Sequence, residues 1–156
     1  MASGVRDLKV WQEAVLHGGE VVRAMRQGTR REIKAFTDHV MSVAVAVASN
    51  IAEGYGHYTN AEQRRYFLEA RRSLVSLETQ LAIARQAGLI TPASLASLST
   101  KIAGVSRLLT GYITYIERQI AAEQEAASSS RVTSAGLLHS QPIVGQIAAG
   151  TISVSS

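Results

Sequence analysis

The chain has no cysteine among its 156 residues. That removes disulfides, thiolate metal sites and cysteine nucleophiles together. Aromatic residues make up only 5 %, which counts against an all-β core and against single-strand binding by stacking. Long hydrophobic runs are missing too. The longest apolar stretch is Val43–Ala48, far below the ~20 residues that span a bilayer. The first residues carry no apolar core of a signal peptide, so the expectation is a soluble cytosolic protein with no membrane partner. What is present is 46 % hydrophobic and 18 % charged, enough for one compact domain with a continuous core.

The net charge of +4 conceals its distribution. Thirteen of the sixteen basic residues are arginine, and they cluster. Arg23, Arg26, Arg30, Arg31 and Lys34 surround Glu32, while Arg64, Arg65, Arg71 and Arg72 enclose Glu69. Arg64 and Arg71 lie seven residues apart, as do Arg65 and Arg72, so each pair shares a helix face. A planar guanidinium makes bidentate contacts to phosphate, which points to an RNA or DNA backbone. A solvated face that keeps an oligomer soluble accounts for the same pattern.

Helical spacing dominates the chain. Leu8, Trp11, Val15, Val22 and Met25 trace a first amphipathic helix interrupted by Gly18-Gly19. Ile33, Phe36, Val40, Val43, Val47 and Ile51 trace a second, ending at Gly54-Tyr55-Gly56. Its middle is apolar all round, which predicts burial on more than one side and a subunit interface. Asn60 with Gln63 reads as the capping box of a third helix. Phe67, Ala70, Leu74, Leu77, Leu81 and Ala84 form its heptad seam, with Gly88-Leu89 as the stop. Thr91-Pro92 opens a fourth helix, whose seam runs Leu95, Leu98, Ile102, Val105, Leu109, Tyr112 and Ile116. Gly104 and Gly111 would let a neighbour approach it closely. The fold class is all-α: an up-down antiparallel four-helix bundle over residues 5–127. Residues 128–156 hold one charge, Arg131, and read as a non-helical C-terminal tail. Leu137, Ile143, Val144, Ile147 and Ile152 make it too apolar for a plain solvated linker.

Little in the chain suggests catalysis. Glu13, His17 and Glu20 share one helix face, but a di-iron bundle needs Glu-x-x-His on two helices, and that motif is missing. No metal or cofactor is therefore expected. Gly54-Tyr55-Gly56 lacks the lysine of a phosphate loop, no serine sits in a nucleophile elbow, and no catalytic residue emerges. Asn50, Glu53, Ser73, Glu78 and Gln80 lie beside the apolar seams. Partly buried, they would bond one another as a polar lock on helix register, or else form a ligand site.

Three runs carry a resemblance. Asp7–Ala14 (DLKVWQEA), Ser49–Gly56 (SNIAEGYG) and Ser73–Leu81 (SLVSLETQL) resemble the four-helix-bundle family of proteins encoded in 23S ribosomal RNA intervening sequences. The accessory variability determinant, Avd, of diversity-generating retroelements belongs to the same structural group. The match covers about residues 5–120. It implies a ring-like homopentamer and, for Avd-like members, a basic surface that binds template RNA and a reverse transcriptase. One departure is Ala70-Arg71-Arg72-Ser73, where relatives often carry a small residue before the serine. These motifs speak to architecture more than to function.

A second resemblance lies in the tail. Pro142-Ile143-Val144-Gly145-Gln146-Ile147-Ala148-Ala149-Gly150 is similar to the self-cleavage segment of LexA-type repressors. Carried over, Ala149–Gly150 is the scissile bond and Val144 and Ile147 fill apolar subsites. Small residues let an extended peptide bend into a tight site, and β-branched flanks suit strand addition. The LexA-type Ser–Lys dyad lies well downstream of its bond, whereas six residues follow Gly150 and none is lysine. The expectation is a tail bound or cut in trans by a LexA-like peptidase. The alternatives are a chance match or an arm packed on a neighbouring subunit.

Overall fold

Apolar residues at three- and four-residue spacing bury one stripe of each helix against the others. The computed structural model describes residues 4–27 and 33–138. A single 3-10 turn, Val5–Asp7, leads into α1 (Lys9–Gln27), α2 (Lys34–Gly56), α3 (Asn60–Gln86) and α4 (Pro92–Leu138). Two ion pairs fix the alternation of direction. Arg64, in the first turns of α3, pairs with Glu117 far along α4 at 2.7 Å, and Glu20, late in α1, meets Lys101, early in α4, at 2.7 Å.

The core is one cluster. On α3 its buried members are Phe67, Ala70, Leu74, Leu77, Leu81 and Ala84, the seam that the heptad spacing predicts. From α4 come Leu98, Ile102, Val105, Leu109, Ile113 and Ile116, with Leu95 and Tyr112 packed at its margin. α1 keeps the expected phase only at its two ends, where Leu8 and Met25 are buried as the spacing predicts. Val10, Ala14, Val21 and Met25 face inward, while Trp11 is only partly buried and Val15 stands exposed. The small Ala14 and Gly18 bring α1 close to α2: a Cβ on Gly18 would lie 3.5 Å from the Ala44 carbonyl oxygen.

α2 is, among the described residues, the one helix long and apolar enough to cross a membrane by length and composition. Here it buries Val40, Ala44, Val47 and Ile51 in the shared core. Buried Thr37 spends its hydroxyl on the Lys34 carbonyl oxygen, 2.9 Å away. Burial on several sides is not complete within one chain, because Val45 stays 57 % exposed.

The connections follow local chemistry, with one correction. The N-cap of α3 is Thr59, not Asn60. Its backbone is extended, and its hydroxyl accepts the Glu62 amide at 3.3 Å. Gln63, expected to close a capping box, donates instead to the His57 carbonyl oxygen at 2.9 Å. The far end behaves as read. Gly88 is left-handed (φ 74°), with Leu89 N–H bonded to Ala84 O at 2.8 Å and Gly88 N–H to Arg85 O at 3.0 Å. Thr91 then caps α4 by accepting the Ser94 amide at 3.1 Å.

The second correction concerns residue 128, where a non-helical tail was expected. α4 continues to Leu138. The serines that suggest a break bond back to their own helix: Ser128 Oγ donates to Glu125 O and Ser130 Oγ to Ala126 O, both at 2.8 Å. A hydroxyl turned onto a preceding carbonyl lets serine sit in a helix without ending it. The chain divides into two compact units, Met1–Ala121 and Ala122–Ser156. In the second, residues 122–133 are exposed.

Candidate nucleic-acid interface

Arginine placed on the solvent side of a helix has two fates: pairing with an acid one turn away, or facing water. α3 shows both. Arg65 donates to Glu62 at 3.0 Å, Arg72 to Glu69 at 2.6 Å, and Arg64 reaches across to Glu117. Arg71 is exposed and, among the described residues, has no ion-pair or hydrogen-bond partner. The same holds for Arg23 and Arg26 on α1. Lys34 pairs with Asp38 at the start of α2. Arg30 and Arg31 lie outside the described residues.

The arginine stripes are therefore partly neutralised. The sequence window that shows Glu69 alone overlooks Glu62, one turn from Arg65, and Glu117, which only the α3–α4 packing brings in. These pairs are exposed, and such carboxylates hold an arginine loosely enough for a phosphate to displace them. Arg65 has an aromatic neighbour besides its carboxylate. Its bond to Glu62 raises its pKa, helped by Tyr66, over whose ring its guanidinium lies 4.4 Å from the centroid.

A second polar assembly joins α1 to α4. His17 stands between two carboxylates, Nε2 at 2.9 Å from Glu13 and Nδ1 at 3.1 Å from Glu20. Both ring nitrogens of His17 are thus engaged by carboxylates of its own helix, one turn to either side. Lys101 completes the network, and its hydrogen bond, followed by that of His17, holds Glu20 below the usual carboxylate range. Among the described residues, no group of three or more His, Asp or Glu side chains is arranged to hold a metal ion. The Glu13–His17–Glu20 trio is a hydrogen-bonded cluster in which both ring nitrogens are already engaged.

The polar lock expected between α2 and α3 does not form as such. Asn50 and Ser73 are half-buried, Glu53 and Glu78 are exposed, and the structure records no hydrogen bond among the five. Gln80 donates to Ser76 Oγ at 3.2 Å, while its Oε1 is buried without a partner. One helical turn supplies a closer partner for Gln80 than the neighbouring helix does. Gly104 and Gly111 likewise bring no neighbour near: a Cβ on Gly111 would meet nothing within 4 Å. The tail residues Pro142, Val144, Gly145, Ile147, Ala148, Ala149 and Gly150 lie outside the described residues.

Between α1 and α2 runs an open groove of about 510 Å³. Trp11, Val15 and Val22 line one side, Val45, Ala48 and Ala52 the other, with Gly18 and Gly19 on its floor. None of its lining residues is charged.

These features define a helical bundle with an arginine-bearing surface on α1 and α3 and an uncharged groove between α1 and α2. The model of the 23S rRNA-intervening sequence protein family matches residues 6–111, more than half of the chain, and the chain belongs to that family. All three motif runs fall inside the matched segment. No curated protein matches the chain.

Proposed function

We propose that this protein is a non-enzymatic, cytoplasmic, homo-oligomeric scaffold that binds RNA through the arginines of α1 and α3. The observation that carries the reading is Arg71, an exposed guanidinium unpaired among the described residues and flanked on α3 by Arg64, Arg65 and Arg72, whose acidic partners are themselves exposed. A family named for an rRNA intervening sequence supports RNA over DNA. The finer form of the proposal is an Avd-like accessory partner of a reverse transcriptase, assembled as the ring-like homopentamer that the family resemblance implies. In such a ring, weak phosphate contacts on each subunit multiply into useful avidity.

Binding by phosphate neutralisation falls steeply with salt. Titration of a structured RNA at graded salt concentrations tests it. Arg71→Glu is expected to weaken binding about tenfold at low salt and to flatten the salt slope. Glu117→Gln is expected to tighten binding by up to about fivefold, because it releases Arg64 from an exposed pair that contributes ~1 kcal/mol at most. Unchanged affinity in both variants overturns the reading.

The tail sequence Pro142–Gly150 supports a second reading, in which the bundle is a regulated interaction module and a LexA-like peptidase binds or cuts the tail in trans. Incubation with such a peptidase and an activated RecA filament tests it. An intact Ala149–Gly150 bond together with no binding overturns it.

A further inference from the structure

Aromatic residues are scarce in this chain, but they are not scattered. Tyr55, Tyr58 and Tyr66 flank the α2–α3 corner, and Tyr112 of α4 stacks on Phe67 with centroids 5.4 Å apart. At the corner itself the His57 and Tyr66 rings stack at 4.7 Å and 18°. The Arg65 guanidinium covers Tyr66. Arginine, tyrosine and histidine thus form a cationic, π-faced cluster on the surface.

Tyr58 follows His57 directly, and its ring is fully exposed. The backbone around it is fixed on both sides. His57 N–H bonds to Gly54 O at 3.2 Å, His57 O accepts from the Gln63 side chain, and Thr59 is the N-cap of α3. A pinned turn therefore holds an unpacked tyrosine in water, with both ring faces free.

We propose that the α2–α3 corner is a stacking site for unpaired bases of RNA, with Tyr58 as the platform beside the Arg65–Tyr66–His57 stack. The proposal rests on the RNA reading above and adds the class of RNA segment: a loop, bulge or single-stranded end. Unpaired bases offer their π-faces, whereas bases within a duplex are already stacked. Arg64 and Arg65 supply guanidinium groups at the same corner for the adjoining phosphates. Every base has a π-face, so sequence preference is weak and strandedness is what the site reads.

Fluorescence anisotropy of the full-length protein with a labelled short oligoadenylate, and with an RNA duplex of equal length, tests this at low salt. Tyr58→Ala is expected to lose about tenfold for the single strand, with little change for the duplex. Tyr58→Trp is expected to restore single-strand binding, and its added tryptophan fluorescence should be quenched by oligoadenylate only. Since the ring touches nothing, circular dichroism should show both variants folded as the parent. If the parent binds oligoadenylate and Tyr58→Ala binds equally well, the stacking site is overturned while the arginine surface stands. If Tyr58→Ala weakens both RNAs alike, selectivity for unpaired bases is overturned. If the parent binds neither RNA, the RNA reading itself fails, and this site with it.

Discussion

A Cβ atom on Gly54 would lie 2.9 Å from Cδ2 of Phe67. The last turn of α2 and the first turns of α3 approach each other so closely that only hydrogen fits between them. Tyr66 Cβ, at 3.0 Å, closes the same space. Phe67 cannot step aside, because it is buried in the core and stacked on Tyr112.

Gly54→Ala is therefore expected to destabilise the bundle. Alanine is the better helix former by ~1 kcal/mol. Forcing a methyl group against a fixed aromatic ring costs about 1–3 kcal/mol, so the net change is unfavourable by up to ~2 kcal/mol. Gly54→Val adds bulk on the same side and is expected to cost more. Urea denaturation followed by circular dichroism checks both variants. A Gly54→Ala protein as stable as the parent would show that Phe67 is free to move.

The ion-pair network of α1 and α4 makes a pH prediction. Glu20 has its pKa lowered from 4.5, first by the Lys101 hydrogen bond. A carboxylate that is more acidic when folded stabilises the fold above its unfolded pKa, and this contribution is lost as pH falls through the folded value. The stabilisation is thus complete at neutral pH and is lost progressively as pH falls from about 4.5 through the lower folded value. Lys101→Met is expected to cost about 1 kcal/mol at pH 7 and to flatten the acid limb of the stability curve. Urea midpoints across the acid range measure both effects, and an acid limb as steep as the parent's would remove Lys101 as the cause.

Legibility differed from one part of the chain to another for physical reasons. The buried seam of α3 is legible to the residue, because its apolar side chains repeat at heptad spacing over six positions. α1 was legible as a helix but in phase only at its ends. The middle of its inner face is small (Ala14, with Gly18 alongside), so Trp11 and Val15 dominate the pattern while standing at the margin. Thr59 and Asn60 are both good caps, and only the extended backbone at Thr59 separates them. Glu117 could not be found as a partner of Arg64 by windowed charge counting, because 53 residues separate them in the chain. Arg71 was legible as basic, yet its being free while its neighbours are paired needed the packed helices. The stacked corner had a signal, His57-Tyr58 with Tyr66, that a low overall aromatic content obscured.

The α1–α2 groove carries the last prediction. Its walls are apolar, its floor is glycine and alanine, and no charge lines it. Val45, on its rim, is more than half exposed in the single chain. A valine left in water on an uncharged face gains by being covered, and a second copy of the chain covers it if the protein assembles as proposed. Val45→Asp separates the two levels of structure. Within one bundle the aspartate reaches solvent, so helix content and the urea midpoint should stay close to those of the parent. Across a subunit interface it would place an unpaired carboxylate among apolar side chains, which is strongly unfavourable. Native mass spectrometry is expected to show the parent as an oligomer and Val45→Asp as a folded monomer. An oligomer unaffected by the aspartate would mean that subunits meet elsewhere, and the groove would lose its role in assembly.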